Sequence, residues 1–110
     1  MASEFVKNFS SADMLPENLA SEKGVKFVDF WAPWCSPCRM VAPIIDQLAE
    51  EFNGQAVVAK VNIDDNEEAA IRYGVASIPT MIVFKDGQEV ERIVGARPRP
   101  QLAEIIRRHL

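Results

Sequence analysis

The chain has 110 residues, 48% hydrophobic and 25% charged, and its 12 Lys and Arg against 16 Asp and Glu leave a net charge of −4. This is ordinary globular usage, so disordered, collagen-like and membrane-spanning chains are poor readings, and the acidity argues against binding nucleic acid or anionic lipid, which needs a concentrated positive field. The length fits one domain, residues 1–110, able to bury a core without disulfide or metal staples.

Met1–Ala20 hold neither an apolar run of signal-peptide length nor an Arg-rich transit composition. The chain is therefore expected to stay where it is made, in a reducing cytoplasm where permanent structural disulfides are rare. Glu4–Phe9 suggests a short edge strand and Ser10–Glu22 a helix with Pro16 inside it. Val25–Trp31 (VKFVDFW) reads as a strand. Cys35–Phe52 is the clearest helix, with Met40, Val41, Ile44, Ile45, Leu48 and Phe52 recurring at three and four residues. Pro43 within it removes a backbone donor and predicts a kink.

Ala56–Ile63 is a second strand, and Asn66–Tyr73 a helix with Asn66 as its N-cap and Gly74 placed to end it. Thr80–Phe84 and Glu89–Val94 flank Lys85-Asp86-Gly87-Gln88, an Asp-Gly hairpin signal that makes them antiparallel. A last helix, Pro100–Leu110, presents Leu102, Ile105, Ile106 and His109 or Leu110 on one face, and ends in Arg107, Arg108 and His109, where the helix dipole favours cations. The first long strand, the long helix and Ala56–Ile63 form a βαβ unit with parallel strands and a right-handed crossover. The expected class is α/β, a mixed sheet with helices on both faces.

Cys35 and Cys38, the only cysteines, follow a strand and open a helix. A thiolate at a helix N-terminus is stabilised by unpaired amides and the dipole, so its pKa falls toward ambient pH, where attack on disulfides is most effective. Cys35, nearest the end, is expected to be the exposed nucleophile, and Cys38, one turn in, the more buried resolving thiol. Other uses compare poorly. As a staple, a four-residue loop contributes only about 2 kcal/mol, against about 4.7 for a loop of a hundred. Structural zinc needs four ligands where this chain has two Cys and one distant His, so no metal site is expected. Haem attachment needs a His where Arg39 stands. Two unpaired buried thiols are the remaining alternative.

The segment Phe27–Met40, FVDFWAPWCSPCRM, resembles the thioredoxin family. The likeness continues through Lys60-Val61-Asn62-Ile63-Asp64, Tyr73-Gly74-Val75, Ile78-Pro79-Thr80, Phe84-Lys85-Asp86-Gly87 and Val94-Gly95-Ala96, most loosely over the first twenty residues. It implies a thioredoxin fold of about five strands and four helices, and a thiol-disulfide oxidoreductase reducing protein disulfides through a mixed disulfide on Cys35 that Cys38 resolves. It implies no bound cofactor, with electrons supplied by a separate thioredoxin reductase drawing on NADPH or ferredoxin. The expected partners are that reductase and disulfide-bearing proteins, and the chain is expected to act as a cytoplasmic monomer. Two alternatives stay open: a disulfide oxidant or isomerase of the same fold, and a binding subunit of a larger complex in which the thiols are incidental.

Asp29 interrupts an apolar strand on the face of Phe27 and Trp31. It is either desolvated, with its pKa raised into the range useful for proton transfer at neutral pH, or exposed at a strand edge. The resemblance implies the former, with Asp29 beneath Cys38 and assisting its deprotonation. It also puts Lys60 beside Asp29, the positive charge opposing the desolvation shift; otherwise Lys60 snorkels from the strand end. Pro79 alone reads as a strand-start proline. The resemblance makes the Ile78–Pro79 bond cis, facing the Cys pair, and leaves the Ile78 backbone free to pair with an extended substrate. Trp34, Val75, Ile78, Pro79, Gly95 and Ala96 then form an apolar rim where protein substrates dock.

Two features depart from the family pattern. Ser36 precedes Pro37 where Gly is usual, and its hydroxyl is expected to donate to the Cys35 sulfur and make the chain more oxidising. Arg97-Pro98-Arg99-Pro100 replaces an apolar residue and a helix cap. Its prolines pre-set the first helical turn, and the two Arg near the rim either favour acidic partners or are simply solvated.

Overall fold

Val25–Trp31 (β2) lies at the centre of the fold, and all but its last residue is buried, which is why it reads as a nearly continuous apolar run. The computed structural model describes residues 2–110 and places β2 in a five-stranded sheet of order β1-β3-β2-β4-β5. The other strands are β1 Val6–Asn8, β3 Ala56–Asn62, β4 Thr80–Lys85 and β5 Gln88–Val94. β1, β3 and β2 run parallel, while β4 is antiparallel to β2 and β5 to β4. The hairpin turns on Asp86 and Gly87, both at positive φ, as a tight Asp-Gly turn requires. A Cβ at Gly87 would also come within 2.6 Å of Ala20.

Four helices, α1 Pro16–Ala20, α2 Ser36–Glu51, α3 Glu67–Arg72 and α4 Arg99–Arg107, cover the two faces. Alternation along β2 sorts its side chains between two cores. Val25 and Phe27 pack with Val41, Ile45 and Leu48 of α2 and Leu102 and Ile106 of α4. Val28 and Phe30 pack with Leu19 of α1 and Ala69 of α3. This mixed sheet with helices on both faces is the α/β architecture the sequence led us to expect. Among the described residues no helix is long and apolar enough to cross a membrane.

Several local expectations are corrected. Ser10–Glu22 is not one helix: Pro16 lacks an amide and suits a first turn, so α1 begins there and Ser11–Met14 form turns. The amino-terminal strand is only Val6–Asn8. Met40, expected on the apolar face of α2, is 74% exposed. The buried stripe instead runs Cys38, Val41, Ile45, Leu48. Asn66 occupies the N-cap position of α3 but its side chain does not cap. It accepts from the Ser11 N–H at 2.9 Å, and the Ser11 hydroxyl in turn accepts from the Ala69 N–H at 3.3 Å. α4 ends before His109 and Leu110, and Arg108 and His109 both pair with Glu91 of β5.

Candidate active site

β2 delivers the chain to Ala32-Pro33-Trp34, and Cys35 is the N-cap of α2, with extended φ and ψ of −88° and 108°. Pro37 stands in the first turn, where a missing amide is harmless. Cys35 and Cys38 are joined by a disulfide, with Cα atoms 5.2 Å apart. The Cys38 N–H donates to the Cys35 sulfur at 3.2 Å, so a sulfur fills the place where a serine or aspartate oxygen usually caps a helix. Arg39 holds the approach to the helix by donating from Nη1 to the Pro33 carbonyl at 2.8 Å. Sequence patterning held no signal for that contact.

Cys35 is 5% exposed and Cys38 2%. The expected order holds, yet Cys35 is not the open thiol foreseen. The two cysteines cluster with Ala32, while Trp31, Ile63 and Ile78 pack against that cluster, and the Ile78 carbonyl oxygen is 3.8 Å from the Cys35 sulfur. Ser36 and Pro37 are exposed. Among the described residues the Ser36 hydroxyl makes no hydrogen bond to Cys35, whose sulfur is served by the Cys38 amide.

Asp29 is 1% exposed, and its Oδ1 has no hydrogen-bond partner. Burial pushes its carboxyl up to about 7, with the positive charge of Lys60 opposing the rise. The alternative of an exposed strand-edge carboxylate is thereby overturned. Asp29 is two positions beyond Phe27 on β2 and so lies on the α2 side of the sheet, toward the stripe that carries Cys38. Lys60 is its ladder partner on β3. The Lys60 ammonium lies 4.2 Å from the centroid of the Trp31 ring, a contact that the sequence reading missed.

The Ile78–Pro79 peptide is cis. Pro79 itself is buried, so it does not stand on the rim; its carbonyl accepts from the Gly95 N–H at 2.8 Å. Trp34 is 66% exposed, its indole Nε1 donating to Asp64 at 3.2 Å. Val75 and Ile78 are half-buried along the edge of the α1 and α3 core, Gly95 is half-buried, and Ala96 is exposed. Arg97 stays beside Gly95, but Arg99 leaves the rim to pair with Glu51 at 3.0 Å, where Arg107 joins it at 2.6 Å.

A disulfide closed across the first turn of a helix, beside a cis-proline loop, with a buried carboxylate on the adjoining strand, defines a dithiol-disulfide oxidoreductase. A thioredoxin family model matches residues 6–108. Thioredoxins of Staphylococcus epidermidis and Staphylococcus aureus are each 51% identical to the chain over 89 residues, spanning 81% of it and 86% of the relative. The chain belongs to the thioredoxin family, and it is a thiol-disulfide oxidoreductase. Members carry no bound cofactor, and membership implies thioredoxin reductase and disulfide-bearing proteins as partners.

Proposed function

We propose that the chain works as a single-domain, monomeric, cytoplasmic reductant of protein disulfides, with Cys35 as nucleophile and Cys38 as resolving thiol. The observation that carries this reading is the Cys38 amide directed at the Cys35 sulfur across the start of α2, because that donor favours a thiolate at Cys35 over one at Cys38. In the reduced chain the Cys35 thiolate attacks one sulfur of a substrate disulfide. A mixed disulfide forms, and the departing substrate thiolate takes a proton from water.

Cys38 then gives its proton to the Asp29 carboxylate and attacks Cys35. The chain disulfide closes and the second substrate sulfur leaves as a thiolate that is protonated in turn. Two electrons and two protons have passed to the substrate. A carboxyl at about 7 is matched to this exchange at neutral pH, and Lys60 tunes it. Ser36 and Pro37 shape the turn between the sulfurs. Trp34, Val75, Ile78, Gly95 and Ala96 offer the substrate an apolar surface, with Pro79 supporting it from beneath. A separate thioredoxin reductase restores the dithiol.

The test is insulin reduction by single variants. Cys35→Ser is expected to abolish turnover, and Cys38→Ser to accumulate a mixed disulfide visible by mass spectrometry. Insulin reduction that persists in Cys35→Ser refutes the assignment.

A further inference from the structure

Asp29, Trp31 and Lys60 share one face of the sheet. Asp29 and Trp31 alternate on β2, and Lys60 stands opposite Asp29 on β3. Side chains directly opposite on neighbouring strands have Cβ atoms about 5 Å apart, and a lysine has the length and freedom to turn its ammonium onto such a neighbour. It does not do so here. Among the described residues no ion pair joins Lys60 to any carboxylate, and Asp29 Oδ1 is buried without a partner. The ammonium lies over the indole of Trp31 instead. Trp is the best aromatic acceptor of a cation, and the attraction grows as the pair is desolvated.

The same indole packs against the pocket of Cys35 and Cys38. Trp31 and Lys60 also line a cleft of about 340 Å³ together with Asn8, Phe9, Asn62 and Asp65. We propose that Trp31 is a positioning residue for the redox reaction: its ring holds the Lys60 ammonium off the Asp29 carboxyl and so keeps that carboxyl unpaired and able to accept a proton from Cys38.

The charged and titratable neighbours are few. β3 contributes Lys60, β4 places the apolar Met81 opposite Asp29, β1 places Asn8 opposite Lys60, and α2, which packs on this side of the sheet, carries Cys38 on its buried stripe. Asp65 faces the cleft near Lys60. Two partners compete for the ammonium, the ring and the carboxyl, and removing the ring hands Lys60 to Asp29. A contacting positive charge lowers a carboxyl pKa by about one unit or more. The proposal rests on Asp29 being the proton acceptor described above.

The experiment follows the Asp29 carboxyl by carbon NMR of the oxidised full chain, labelled at aspartate, across pH, alongside the pH profile of insulin reduction. In Trp31→Leu the titration midpoint is expected to fall by about one unit or more. Trp31→Phe, which keeps a weaker ring, falls less and serves if the leucine variant does not fold. Lys60→Met raises the midpoint, and adding Trp31→Leu or Trp31→Phe to Lys60→Met changes it no further. A midpoint that stays or rises in the Trp31 variants overturns the proposal. So does an equal fall in the Lys60→Met background, because water entering beside Asp29 would then be the cause. If the midpoints move as expected while the pH profile of reduction stays fixed, the placement of Lys60 stands and the proton-transfer role of Asp29 is refuted.

Discussion

The backbone amide of Cys38 donates to the sulfur of Cys35, while Cys38 itself is packed toward the sheet on the inner stripe of α2. Two thiols in one turn of helix are thus unequal: one sits at the positive end with a donor aimed at it, the other faces apolar side chains. A hydrogen bond to a charged group is worth about 1.5–3 kcal/mol, or roughly tenfold and more in a ratio. In the reduced chain at pH 7, iodoacetamide is expected to alkylate Cys35 at least about tenfold faster than Cys38. Peptide mapping after a short pulse reads this directly, and equal labelling contradicts it.

Both sulfurs close a ring between residues only three apart, which constrains the unfolded chain by about 2 kcal/mol in the chain-entropy model. The two apolar cores on either side of β2 carry the fold without it. Reduction is therefore expected to leave the far-ultraviolet circular dichroism unchanged and to lower unfolding stability by no more than about 2 kcal/mol in urea titrations. Loss of the fold on adding dithiothreitol would show that the disulfide is structural.

The Ser11 hydroxyl receives the Ala69 amide in the first turn of α3, a cap supplied from another segment of the chain. Replacing a capping serine by alanine typically removes about 1 kcal/mol. Ser11→Ala is expected to lower the urea midpoint accordingly with an unchanged slope, whereas an unchanged midpoint would assign the cap to solvent.

That cap marks where sequence patterning stops being informative. β2, the Asp-Gly hairpin and the Cys pair at a helix start were legible because each depends on residues adjacent in the chain. Asp29 was legible too, since a carboxylate inside VKFVDFW has only burial or a strand edge open to it. Ser11 capping α3, Lys60 lying on Trp31 and Arg99 leaving the rim for Glu51 are pairings between distant segments, and no local period announces them. Met40 failed for a different reason. Helical spacing marks a stripe, but at 3.6 residues per turn Met40 stands about 200° around the helix from Cys38, off the buried stripe of Cys38, Val41, Ile45 and Leu48 and on the solvent side.

The buried Asp29 also makes stability depend on pH. Its carboxyl is raised from 3.8 to about 7 in the folded chain, so between those values the folded state holds a proton that the unfolded state has released. Stability then falls as pH rises through this window, the opposite of a salt-bridged carboxylate. At about 1.4 kcal/mol per pH unit, the interval of roughly three units corresponds to about 4 kcal/mol. Asp29→Asn removes the titration. Urea unfolding at pH 4 and pH 8 is expected to show the variant gaining on the wild type by up to about 4 kcal/mol at the higher pH. Glu91, held below the ordinary carboxylate range by hydrogen bonds from Arg108 and His109, contributes with the opposite sign below pH 4.5, at the foot of this window, and being common to both chains it cancels in the difference between variant and wild type. A stability difference that is the same at both pH values would place the Asp29 proton elsewhere and leave the resolving step of Cys38 without its acceptor.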